Sequence, residues 1–225
     1  MHGSLVIVDD VPGEFAERVI EAFHSRPADT FSFALSGGGT ARTCYERLAV
    51  DGGTQIDWWK VDVYWGDERC VPLDHAESNY RLGREALLDR VGAANAHYPM
   101  RCEEGPDPYQ LRVGELGKFD LVHLGLGPDG HTASLFPDSS ALQADPGRLV
   151  VMNDDPHGVN PHPRMTLTYG GINRARLVVV TVMGEEKHDA LRRVCDGDAT
   201  APATHVRADK VVWLADHAAA QGLAG

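Results

Sequence analysis

Short apolar runs alternate with segments of helical period along most of the chain. Residues 5–8, 31–35, 61–65, 119–126, 149–152, 177–183 and 211–214 have the length and the β-branched or aromatic content of strands. Between them, residues 13–23, 41–49, 78–91, 109–116 and 185–194 predict helices, and the proline-bounded stretch 99–108 predicts a loop. The apolar stripe is plainest in 41–49, where Ala41, Cys44, Tyr45, Leu48 and Ala49 fall at i, i+3, i+4, i+7 and i+8. This alternation predicts an α/β fold: a Rossmann-like, doubly wound, mostly parallel sheet with helices on both faces. No repeat, coiled coil or flexible linker divides the chain, so a single domain over 1–225 is expected.

In open α/β sheets, ligands bind beyond the carboxyl ends of the strands, so the segments that follow each run carry the candidate chemistry. After 31–35 comes Ser36-Gly37-Gly38-Gly39-Thr40. Glycines let the backbone approach an anion, and the N–H groups at the start of the next helix point at it, so this is a phosphate cradle or a plain strand-to-helix turn. It lacks the Gly-Lys-Ser/Thr ending of a nucleotide-hydrolysing loop. After 61–65 come Gly66-Asp67-Glu68-Arg69, two acids and a guanidinium at the sheet's open end. After 119–126 comes Gly127-Pro128-Asp129-Gly130-His131-Thr132-Ala133-Ser134-Leu135-Phe136-Pro137. A G-x-G-x-x-G spacing is present, but Pro137 limits any helix there to about one turn, which excludes a dinucleotide fingerprint. His131 is then expected at the mouth of a short helix, where the dipole keeps the ring neutral and able to take a proton. Arg164, on a short extended segment, is an anion-binding candidate or a surface ion-pair partner. Lys187, expected in a helix's first turn, sits where a cation is disfavoured by roughly 0.3–1 kcal/mol, a cost that an anionic ligand or Glu185 and Glu186 would offset.

Composition removes several classes. The net charge of −12 repels a phosphate backbone, so no nucleic-acid partner is expected. No apolar stretch is long enough to span a bilayer and none has the form of a leader, so no membrane partner and a cytoplasmic location are expected. Cys44, Cys70, Cys102 and Cys195 are widely spaced, which predicts reduced thiols. His123, His157 and His162 match no zinc template and are expected to be structural, so no metal is predicted. No G-x-S-x-G elbow supplies a serine nucleophile.

These motifs, in order, resemble those of the 6-phosphogluconolactonases, within a wider group that includes glucosamine-6-phosphate deaminases. The resemblance is carried by residues 34–40, 65–69, 77–80, 124–137, 163–166 and 184–187, and covers nearly the whole chain. It implies hydrolysis of 6-phosphogluconolactone without a cofactor, with this sugar phosphate as the partner of an expected monomer. His131 would activate water, Asp129 and Asp67 would orient the imidazole, the water or sugar hydroxyls, and Arg69 would stabilise the oxyanion or bind hydroxyls. The implied phosphate pocket maps onto Ser36, Gly37, Gly38, Gly39, Thr40, Arg164 and Lys187. The deaminases, as the resemblance has it, carry a glutamate five residues beyond this histidine, where this chain has Phe136. A non-catalytic sugar-phosphate sensor would keep the cradle but have no use for His131, and would need an effector segment that is not evident here.

Overall fold

Every apolar run predicted as a strand becomes one, but they do not all join the same sheet. The computed structural model describes residues 1–92 and 94–223. In chain order the elements are β1 (Ser4–Ile7), α1 (Val11–His24), β2 (Phe31–Leu35), α2 (Gly39–Asp51), β3 (Val61–Trp65), β4 (Asp67–Arg69), α3 (79–91), β5 (Ala96–His97), α4 (Pro106–Leu116), β6 (Leu121–Gly125), β7 (Val150–Asn153), β8 (Arg164–Leu167), α5 (Tyr169–Ile172), β9 (Leu177–Val182), α6 (His188–Cys195) and β10 (Lys210–Ala215). Seven strands form a parallel sheet in the order β1-β10-β9-β6-β2-β3-β5. From β2 the chain winds outward through β3 to β5, then returns beside β2 as β6 and winds the other way. The reversal between β2 and β6 opens a crevice at their carboxyl ends, which is where the glycine segment and the His131 segment begin.

Both faces of the sheet are covered. Phe33 on β2 packs on Phe15 of α1, with ring centroids 6.5 Å apart, and its register partner Val63 shares that face. The next residue, Tyr64, points the opposite way and meets Tyr109 of α4 edge-on. Hence strands such as β2 are buried at every position. Local signals explain the helices: Asp10 caps α1 by accepting from the Gly13 N–H at 3.0 Å, and Phe15, Val19 and Phe23 form its buried stripe.

Four expectations need correction. The run at 149–152 becomes β7, which lies not in the parallel sheet but in a small antiparallel one, β4-β8-β7. The loop expected at 99–108 holds a 3-10 turn, Cys102–Glu104, and α4 begins at Pro106, because the missing N–H of proline is harmless in a helix's first turn. The helix expected at 185–194 divides into a 3-10 turn, Glu185–Lys187, and α6. Finally, Cys70 and Cys102 are not free thiols: the fold brings their Cα atoms to 5.4 Å and joins them in a disulfide, while Cys44 and Cys195 stay unpaired. Their separation of 32 residues gives no hint of this approach.

Candidate active site

The glycine segment leaves β2 directly above its own helix. Gly38, at φ +93°, adopts a conformation costly for other residues and so caps α2 with backbone alone. Beneath it, the Tyr45 hydroxyl accepts the Ser36 N–H at 2.6 Å and lies 2.8 Å from Nδ1 of His123, whose Nε2 meets the Thr181 hydroxyl at 2.9 Å. His123 is fully buried, as the sequence implied, and burial lowers its pKa to about 3. A neutral ring therefore links α2 to β9 under the cradle.

No helix follows His131, so the dipole argument for its neutrality fails. Residues 127–137 instead fold as successive turns, closed by Gly130 N–H to Gly127 O at 2.9 Å and Gly127 N–H to His131 O at 2.8 Å. The ring lies so close to Gly127 that a Cβ there would sit 2.1 Å from its Nδ1. Its orientation is set by Asp129, whose Oδ1 is 2.6 Å from Nδ1 and also accepts the His131 N–H at 3.0 Å. Burial opposes ionisation of Asp129, but the hydrogen bonds and charge of His131 outweigh it and hold the carboxyl below its usual range. A carboxylate accepting from Nδ1–H leaves the lone pair on Nε2.

Asp67 and Arg69 leave β3 through β4, and Arg164 lies on β8 beside them. In the antiparallel register Asp67 faces Thr166, and Arg69 faces Arg164. Asp67 is buried, and its oxygens accept from Ser134 Oγ at 2.6 Å and Asn79 Nδ2 at 3.2 Å. Ser134 N–H in turn donates to Thr166 Oγ1 at 3.2 Å, so the His131 segment is fastened to the small sheet. Glu68 points away and accepts from Ser78, Asn79, Tyr80 and Arg69; it organises the start of α3 rather than the site. Arg164 is 5% exposed, and burial pulls its guanidinium below the ordinary value. Arg69 Nε is buried with no hydrogen-bond partner among the described residues.

One cavity of about 270 Å³ collects these parts: Ser36, Gly37, Gly38, Gly39, Thr40, Asp67, Arg69, His131, Arg164 and Lys187 all line it. Asp129 does not, because it stands behind the imidazole. Lys187 lies immediately before α6, in the 3-10 turn rather than the first α-helical turn. Sequence reasoning passed over Asn79, Ser134 and Thr181, which also line the cavity. Asn79 and Ser134 stood inside the motifs quoted above, but neither residue type announces a role until Asp67 is seen between them. Phe136 is buried edge-on against the His131 ring, with centroids 5.1 Å apart.

A family model described as glucosamine-6-phosphate isomerases/6-phosphogluconolactonase matches residues 6–213. The chain belongs to this family. Among members of the glucosamine-6-phosphate isomerase/6-phosphogluconolactonase family, it is 37% identical to the 6-phosphogluconolactonase of Synechocystis sp., over 92% of this chain and 89% of that one. The crystal structure of 6-phosphogluconolactonase from Thermotoga maritima superposes with a TM-score of 0.81 at 30% identity, covering 94% of this chain and 98% of that one. The 6-phosphogluconolactonase from Trypanosoma cruzi gives 0.84 at 27% identity, covering all of both chains. Within this family fold, the corner occupied by Phe136 offers an aromatic edge and no second acid to His131.

Proposed function

We propose that this protein is a 6-phosphogluconolactonase, hydrolysing 6-phospho-D-glucono-1,5-lactone to 6-phospho-D-gluconate in the oxidative pentose phosphate pathway. The observation that carries the reading is the shared cavity, which has a carboxylate-oriented imidazole and a set of anion-binding groups on its walls. In this reading, the cradle of Ser36 to Thr40, Arg164 and Lys187 grips the phosphate. Charge-assisted hydrogen bonds contribute about 1.5–3 kcal/mol each, enough for a few to outweigh a global net charge of −12.

His131 Nε2 takes a proton from water as its oxygen attacks the lactone carbonyl. Arg69, whose side chain lines the cavity, donates to the developing oxyanion or to a sugar hydroxyl, and Asp67 accepts from the water or a neighbouring hydroxyl. When the tetrahedral intermediate collapses, the ring C–O bond breaks and the imidazolium returns its proton to the departing oxygen. The lactone is already an activated ester, and neither step calls for a cofactor. Phe136 argues against ring opening of an amino sugar, because the deaminase-type acid is replaced by a phenyl ring.

The proposed working unit is the single domain over 1–225 as a monomer, with the sugar-phosphate lactone as partner. The cytoplasmic location expected from the sequence is not carried into the proposal, because the Cys70–Cys102 bond is of a kind that persists in oxidising compartments. Among the described residues, no helix is long and apolar enough to cross a membrane. The deciding experiment is turnover of freshly generated 6-phosphogluconolactone against glucosamine 6-phosphate on one preparation, corrected for spontaneous lactone opening. Lactone hydrolysis is expected; deamination alone would reverse the assignment.

A further inference from the structure

Arg69 and Arg164 are register partners on β4 and β8, so two guanidinium side chains start from directly opposite positions on one face of the small sheet. Like charges in that relation repel, and the repulsion adds to burial in lowering the pKa of Arg164, against the larger attraction of Asp67 and the lesser ones of Glu68 and Glu77. These charges do not by themselves fix where each side chain sits, and hydrogen bonds do. Each is tied to a backbone carbonyl rather than to a carboxylate: Arg69 Nη1 donates to Glu77 O at 2.5 Å, and Arg164 Nε donates to His162 O at 3.1 Å.

Those two carbonyls belong to residues whose own side chains meet. His162 Nε2 lies 2.5 Å from Glu77 Oε2, across 85 positions of sequence. The result is a closed ring, Arg69 to Glu77 to His162 to Arg164, completed by the β4·β8 register. The surroundings favour an ionised Glu77: the His162 hydrogen bond, aided by the charges of His162, Arg69 and His75, outweighs the opposing effect of burial and holds its carboxyl below the usual range. The Glu77 backbone is gripped from its other side as well, its N–H donating to His75 Nδ1 at 3.2 Å, and the His75 ring lies 6.3 Å from that of His162.

We propose that the Glu77–His162 pair is a positioning device for the active site, holding the anchors of Arg69 and Arg164 at the spacing that binds the anionic substrate. The proposal rests on the lactonase reading given above. Neither residue lines the cavity, so neither is a catalytic residue. The pair lies at the rim, with side chains 54% and 32% exposed, and exposed ion pairs contribute little to stability. Its removal is therefore expected to alter binding rather than folding.

The test uses Glu77→Ala, His162→Ala, the double variant and His162→Gln, which keeps a side-chain N–H donor. Steady-state kinetics on 6-phosphogluconolactone are measured together with calorimetric binding of 6-phosphogluconate and thermal melts. Each alanine variant is expected to raise KM and the product Kd about fivefold or more, with kcat within about twofold. The double variant is expected to be no worse than the worse single, because either change alone opens the ring, and His162→Gln is expected to return KM to within about twofold of wild type. Unchanged KM and Kd in the single variants, effects that multiply in the double, a parallel fall in kcat, or a melting midpoint lowered by more than a few degrees would each overturn the proposal. A wild-type protein that fails to hydrolyse the lactone refutes the functional reading instead, while the product-binding comparison still decides on the device.

Discussion

His123 provides a quantitative link between the buried core and the cradle. Its ring is fully enclosed, tilted against Phe15 with centroids 4.3 Å apart and bonded to Tyr45 and Thr181, and burial lowers its pKa to about 3. In the unfolded chain the reference value is about 6.5. Because the folded state resists protonation, this stabilising contribution is complete above the unfolded pKa and is lost as pH falls from there toward the folded value. The slope in that window is about 1.4 kcal/mol per pH unit, and the whole window is worth roughly 4–5 kcal/mol. His123→Gln removes the titration and retains part of the hydrogen bonding, at a cost of about 1–2 kcal/mol at neutral pH. Urea unfolding of both proteins between pH 4.5 and 7.5 measures the difference, in which carboxylates common to both cancel. The wild-type advantage is expected to shrink with acidification and to vanish near about pH 5–5.5. A difference that stays flat across this range refutes the claim that burial holds the ring neutral. Protonation would also make both ring nitrogens donors, so that one of the bonds to Tyr45 and Thr181 loses its acceptor, and KM for the phosphorylated lactone is expected to rise before global unfolding.

Three further outcomes are expected. His131→Ala lowers kcat by about 10²-fold or more with little change in product affinity; unaltered turnover would remove His131 from its role. Arg164→Ala and Lys187→Ala each weaken binding of the phosphorylated lactone by about 10–100-fold while sparing glucono-1,5-lactone, and equal losses on both substrates would contradict the phosphate pocket. Reduction of Cys70–Cys102 releases a constraint spanning 32 residues and lowers unfolding stability by about 2–4 kcal/mol; identical denaturation midpoints with and without reductant would show that the tether adds nothing.

Much of the site was legible because it is local. The glycine turn after β2, the acids after β3 and the Asp129–His131 spacing after β6 each lie within a few residues of a strand end, and an α/β sheet gathers such ends at one rim. Hydrophobic period located the strands and the clearest helix for the same reason: it records which neighbours share a face. Pairing between distant segments leaves no such record. The β4·β8 register that sets Arg69 against Arg164, the Ser134 and Asn79 contacts to Asp67, the Cys70–Cys102 bond and the Glu77–His162 bridge all join residues separated by long stretches of chain. Even the setting of His131 changed, from the expected mouth of a helix to a turn braced by the carboxylate of Asp129. Sequence therefore determined which chemical groups this protein carries and the strand ends they follow. Tertiary structure decided which of them touch, because proximity across a sheet depends on strand order and register, quantities settled by the packing of the whole core.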